Sequence, residues 1–256
     1  MAQFIFKKIT GIAKLQSWRR DTDMNDRKMA VALTLFRIGA IKFGQFELKM
    51  HEAHPGAPKS PIYLNLRTRD NPKPGPLDSD IIGMISELML DAVMMVGLDF
   101  DVIAGIPNAG DPFADALAAV MSADGLSTRV VQMTKVDDPD GKRHIADVAT
   151  LLGDDEQKVL LVDDLITMAD TKLEAVKAIN DAERAVEAIV VLVDREQGGA
   201  AILEEMGIGL VAVFTLTELL DLYVDAGFIT PEDRADVQSY KQRVDEYMAS
   251  LEPAAA

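Results

Sequence analysis

The chain has 256 residues, 48% of them hydrophobic and 27% charged, enough to bury one large core. Its 26 basic residues against 42 acidic ones leave a formal charge of −16; that field repels nucleic acid and anionic membranes, so neither is expected as a partner. It has no cysteine, which excludes disulfides, thiolate nucleophiles and cysteine-held zinc and fits a cytoplasmic placement.

No apolar run reaches the ~18–20 residues of a membrane span. The first twenty residues, "MAQFIFKKITGIAKLQSWRR", carry five Lys/Arg and no acid. Ile5, Ile9, Ile12 and Leu15 can share a helix face. Two readings stay open: a targeting or surface-seeking helix, or an extension packed on the domain or on a partner chain. Residues 1–28 are taken as this basic extension, 29–250 as one domain, and 251–256 as a disordered tail.

In chain order, residues 27–38 read as a helix, and "AIKFGQFELKM" (40–50) alternates as a strand does. "HEAHPGAPK" (51–59) is a loop in which His51 and His54 are expected to be solvated. "SPIYLNL" (60–66) is a strand, and "RTRDNPKPGP" (67–76) a loop dense in breakers. Asp78 caps a helix running to Val96. From there strands and helices alternate. The strands are "FDVIAGI", "STRVVQM", "KVLLVDD", "AVEAIVVLVDR" and "GIGLVAVF". Residues 134–146 read as a polar loop, and the last helices span 215–226 and 231–251. Short Val/Ile/Leu runs alternating with helices predict an α/β fold, a parallel sheet with helices on both faces. Ligands of such sheets bind beyond the strand C-termini, which directs attention to the turns 107–111, 163–171 and 194–199.

In "VLLVDDLITMADTKLEA", Asp163 and Asp164 end an apolar run. Paired carboxylates suit the vicinal hydroxyls of a ribose or the water shell of Mg²⁺. Thr167 and Thr171 offer hydroxyls beside the first amides of a helix, a ready anion site. The plainer reading makes Asp164 or Asp170 a helix N-cap and Asp163 a solvated strand end.

This stretch resembles the ribose-phosphate motif of the type I phosphoribosyltransferases. Four more stretches resemble the orotate phosphoribosyltransferase branch of that family, and all five follow its order: "IKFGQFELK", "SPIYLNLR", "AGIPNAGDPFA" and "VVLVDREQGG". The resemblance implies the type I phosphoribosyltransferase fold, with a small N-terminal hood region. It implies a homodimer that joins orotate to phosphoribosyl pyrophosphate (PRPP), with Mg²⁺ carried on PRPP. Position by position, Asp163 and Asp164 would hold ribose hydroxyls and the metal's water shell. Thr167, Asp170 and Thr171 fall in the 5′-phosphate cradle. Pro107, Asn108, Ala109 and Gly110 would give amides to pyrophosphate. Lys49, Tyr63, Leu64 and Arg195 would meet orotate.

The family's mobile catalytic loop, roughly "RKExKxHG", aligns with "TKVDDPDG". Lys135 matches its first lysine, so the resemblance implies a catalytic role for it beside Asp163 and Asp164. Asp138 stands at the catalytic lysine and Asp140 at the histidine, while Lys142, Arg143 and His144 follow in "GKRH"; a shifted loop would present Lys142 to PRPP. The phosphate cradle carries Met168, Ala169 and Asp170 where small residues, glycine and a hydroxyl are usual. A carboxylate ~4 Å from a phosphate costs on the order of 4 kcal/mol. Lys172 is the expected counter-charge to Asp170, unless Asp170 caps the helix. These departures keep two further readings open: a binding protein without catalysis, and a transferase with another base or donor.

Overall fold

The computed structural model describes residues 21–141 and 143–251. Its centre is a five-stranded, all-parallel sheet in the order β4-β3-β7-β8-β9. The strands are β3 (Val102–Gly105), β4 (Arg129–Gln132), β7 (Lys158–Ile166), β8 (Ala185–Asp194) and β9 (Gly209–Thr215). Their residues alternate between two cores, as a sheet covered on both faces requires. Ile103, Leu160, Val162, Val190 and Leu192 face one core; Val102, Ala104, Leu161, Ile189 and Val191 face the other. Helices α3 (Ser79–Val96) and α4 (Asp111–Ala123) cover the first face, and α5 (Asp170–Asp181) and α6 (Gly199–Glu205) the second. The expected α/β architecture is present. Asp78 caps α3 as expected, accepting from the Ile81 amide.

Strand order locates the site. From β3 the chain steps outward to β4, then returns to β7 on the other side of β3. The crevice between the C-terminal ends of β3 and β7 is therefore a topological switch point, where sheets of this kind bind ligands.

A separate antiparallel hairpin, β1 (Ile41–Phe46) with β2 (Ser60–Leu64), forms the hood. Between its strands lies a short helical turn, α2 (Met50–Ala53), so the strand expected to reach residue 50 ends earlier. His51 is not solvated: it is buried, with Nδ1 2.9 Å from the Leu48 amide and Nε2 3.2 Å from the Pro58 carbonyl. The first described helix, α1 (Asp21–Arg37), starts ahead of the expected residue 27. Arg27 pairs with Asp91 on α3, and Lys28 with Glu218 on α7 (Leu216–Asp225). Val31, Ala32 and Leu35 lie in the core, so α1 belongs to the domain. The last helix, α8 (Pro231–Leu251), packs against β2 through Val237 and Tyr240, both buried.

The expected loop 134–146 is partly a hairpin, β5 (Lys135–Asp137) with β6 (Arg143–Ile145). Its tip is Asp138-Pro139-Asp140-Gly141. The Asp138 carboxylate accepts from the Asp140 amide, the Asp138 carbonyl accepts from Gly141, and Gly141 has φ +75°. Asp, Pro and Gly at those positions are turn formers. Asp138 and Asp140, which the resemblance aligns with a lysine and a histidine, thus sit in a tight turn that the Asp138 carboxylate helps to close. Lys142, the residues 1–20 and the tail 252–256 lie outside the described residues.

Candidate functional site

The two loops of the crevice touch through backbone. The amide of Ile106 donates to the Val162 carbonyl at 2.9 Å, and Gly110 donates to Ile106. A Cβ at Gly110 would stand 2.1 Å from the Val162 carbonyl oxygen, so only glycine lets the β3 loop lie this close to β7. Pro107, Asn108 and Ala109 are half-buried along it, Gly110 is buried, and the Pro107–Asn108 peptide is cis. On the other side, the turn after β8 is pinned to the loop after β7. Arg195 donates its amide to Ile166, and Gly199 donates to Thr167. A Cβ at Gly199 would meet that Thr167 oxygen at 2.6 Å.

Asp163 and Asp164 do not end the strand, since β7 continues to Ile166. Nor is Asp163 solvated: the two acids are 4% and 7% exposed. The regular alternation slips at this pair, with Leu165 packing on the same core as Val162 and Ile166 on the other. The acids absorb the slip. Asp163 Oδ1 accepts from the Asp164 amide at 2.8 Å, and Asp164 Oδ1 from the Leu165 amide at 2.7 Å. Asp163 Oδ2 accepts from Lys172 Nζ at 2.7 Å, in a pair 6–7% exposed. Lys172 therefore answers Asp163 and not, as expected, Asp170. Burial, then the neighbouring Asp163, raises the Asp164 carboxyl well above its usual range.

Asp170 does not cap α5. The N-cap is Ala169, held at φ +69°, and no side chain caps the helix. Asp170 and Thr171 are exposed at the first turn, with Thr167 half-buried before them. The expected competition between a capping carboxylate and an incoming phosphate is thereby removed, and the first amides of a 12-residue helix remain for an anion.

Two residues passed over in the sequence join this end of the sheet. Asp111 opens α4, and its Oδ1 is buried without a partner among the described residues. Burial, then Asp115 and Asp163, pushes its carboxyl up to about 6. Glu174, on α5, accepts from the Ile145 amide at 2.7 Å and from Lys135 Nζ at 3.3 Å. Lys135, expected to be catalytic, is thus held by a staple between the hairpin and α5. An acid at a helix start signals Asp111; nothing in the sequence pairs Glu174 with a strand 29 residues away.

On the hood side, Tyr63 is half-buried, its ring 5.6 Å from Phe46. Leu64 points the other way, as the next residue of a strand must, and is 8% exposed in the core. Its side chain cannot pack on a ring that Tyr63 faces. Lys49 is exposed just before α2. Arg195 is no exposed surface charge: its Nε is buried without a partner among the described residues, and burial lowers its pKa. It lines a cavity of about 260 Å³ together with Ile62 of the hood, Thr217 of α7 and Tyr240 of α8. Lys49, Tyr63 and Leu64 are not among the residues lining that cavity. Glu196 fixes the turn beside Arg195, donating its amide to Asp194 and accepting from the Thr217 amide at the start of α7.

A glycine-tight crevice at a switch point, with an acid pair on one side and a half-open helix N-terminus on the other, is a fitting seat for a sugar phosphate. The phosphoribosyl transferase domain model matches residues 77–207, just over half of the chain, and the chain belongs to that family. Its relatives narrow the class. The orotate phosphoribosyltransferase of Sulfurisphaera tokodaii is 31% identical over 71% of this chain and 84% of its own. That of Methanopyrus kandleri is 32% identical over 78% of this chain and 94% of its own. The structure of Leishmania donovani UMP synthase is 28% identical with a TM-score of 0.61, over 84% of this chain and 42% of that one. Within the family, the chain is similar to the orotate phosphoribosyltransferases.

Proposed function

We propose that the protein transfers the phosphoribosyl group of PRPP to orotate, giving orotidine 5′-monophosphate and pyrophosphate, as a cytoplasmic homodimer. The observation that carries the reading is the pairing of the β3–β7 crevice with the Arg195 cavity, joined through the Arg195–Ile166 and Gly199–Thr167 hydrogen bonds. A sugar phosphate and a planar acid held in adjoining sites need little further motion to react. The amides that open α5, with Thr167 and Thr171, would take the 5′-phosphate. The backbone of 107–110 would face pyrophosphate. Asp164, with Asp163 behind it, would meet the ribose hydroxyls. Arg195 would bind the orotate carboxylate, and its unpaired Nε supplies the donor such an anion seeks.

Mg²⁺ enters on the donor. Among the described residues no group of three His, Asp or Glu side chains is arranged to hold a metal ion, and Asp163 already faces a lysine. Asp164 would hold, through water, a metal brought in on PRPP. The ion would offset the charge of the departing pyrophosphate.

The ring nitrogen of orotate would displace pyrophosphate from the ribose while the site stabilises positive charge on the sugar. The experiment mixes protein, Mg²⁺, PRPP and orotate and follows the loss of orotate absorbance. Steady loss supports the reading; none over a wide range of enzyme concentration contradicts it. A second reading, binding without turnover, is favoured by one observation: Lys135, the remaining basic match to the catalytic loop that the resemblance gives, is tied to Glu174. Calorimetry separates the two, since the second predicts PRPP binding with no consumption of orotate.

A further inference from the structure

Of the residues lining the Arg195 cavity, Arg195, Glu196 and Gln197 lie inside the family-matched stretch 77–207. The rest of its wall comes from the hood, α7 and α8. Tyr240 is the buried polar member of that wall on α8, 5% exposed. Its hydroxyl lies 3.9 Å from the Met50 sulfur, a weak acceptor, and beside the Ser60 hydroxyl of β2. It also feels the Arg195 charge: Arg195 counters the rise that burial imposes on the phenol. One ring thus touches the hood, closes the cavity and stands in the field of the guanidinium.

We propose that Tyr240 selects the acceptor: buried in the wall of the cavity that Arg195 also lines, it shapes that cavity for a planar ring acid, so that α8 is the specificity wall of the site. This rests on the functional reading above. A carboxylate that pairs with Arg195 gains from a fixed cavity wall more than a neutral ring does, because a guanidinium binds a carboxylate through a fixed fork. Tyr240 and Val237 are the two buried residues of α8. Closure of the hood onto α8 is what makes it a cavity residue.

The test uses the full chain and Tyr240→Phe, which removes only the hydroxyl. KM for orotate, KM for PRPP and kcat are measured, and the preference for orotate over uracil, the same ring without the carboxylate, is compared. The proposal predicts that KM for orotate rises about tenfold, that KM for PRPP holds, and that the orotate preference falls by a similar factor. An unchanged orotate KM and preference overturns it, as does a parallel rise in both KM values, which marks a merely structural role. A wild-type chain that binds orotate in calorimetry without turnover is compared by its Kd for the same two rings, with the same outcomes. A wild-type chain that neither binds nor consumes orotate overturns the functional reading first, and the proposal with it.

Discussion

Lys172 sits in the first turn of α5 behind two exposed residues, yet its ammonium lies 2.7 Å from Asp163 in a buried pair. Removing one partner of such a pair leaves an uncompensated charge, which costs more than the pair itself contributes. Lys172→Met is therefore expected to destabilise the fold by about 3 kcal/mol, and the double variant with Asp163→Asn to recover most of that; urea unfolding of the four proteins gives the coupling directly. Asp111 makes a prediction of opposite kind. Its carboxyl is pushed up to about 6 by burial, Asp115 and Asp163. The folded state thus holds its proton more tightly than the unfolded chain, so its contribution is fully present below pH ~4 and is lost as pH rises through ~6. A shift of that size is worth about 3 kcal/mol at most, and exposure reduces it to about 1 kcal/mol. Asp111→Asn should stabilise the protein by about that amount at pH 7.5 and by little at pH 4.5. A variant equally stabilised at both values would show that titration of Asp111 is not the cause.

The β5–β6 hairpin carries the stretch where the resemblance expects a basic catalytic loop. Its turn is closed by Asp138, Asp140 and Gly141, and its base is held to α5 by Glu174 through the Ile145 amide and Lys135. A hydrogen bond from an amide to a charged acceptor is worth about 1.5–3 kcal/mol. Glu174→Ala should leave the sheet intact while amide exchange in 135–145 accelerates at least tenfold; equal protection in both proteins would show that the turn alone orders the hairpin. Most strands and helices were legible, because Val/Ile/Leu runs punctuated by breakers carry their own period. Asp78 was legible as a cap for the same local reason. The hairpin was not, since three-residue strands rich in charge carry no readable alternation. His51 was misread because its burial comes from Leu48 and Pro58 closing around it, not from its loop composition. The left-handed conformation of Ala169 was signalled only by the resemblance, which puts glycine at that position; alanine itself carries no such signal.

A molecule with a formal charge of −16 that is proposed to bind two anionic substrates must build its attraction locally. The candidate groups lie at one edge of one sheet: the α5 N-terminus, the glycine-tight β3 loop and Arg195 after β8. The crevice was legible in the sequence as turns between strands. The cavity was not, because α8 closes it from residues far along the chain. The resemblance named the acid pair and Arg195; that Lys172 pairs with Asp163, and that Tyr240 lines the cavity with Arg195, became visible only once the chain was folded. The crevice and the cavity are proposed to work as one transferase site. The most direct measurement is the loss of orotate absorbance with Mg²⁺ and PRPP, run on the wild-type chain and Arg195→Ala side by side. The wild type should consume orotate, and Arg195→Ala should lose about a hundredfold in kcat/KM, the roughly 2.7 kcal/mol expected of a buried charge-assisted contact. Wild-type protein that binds PRPP and leaves orotate untouched, or a variant as active as the wild type, would contradict it.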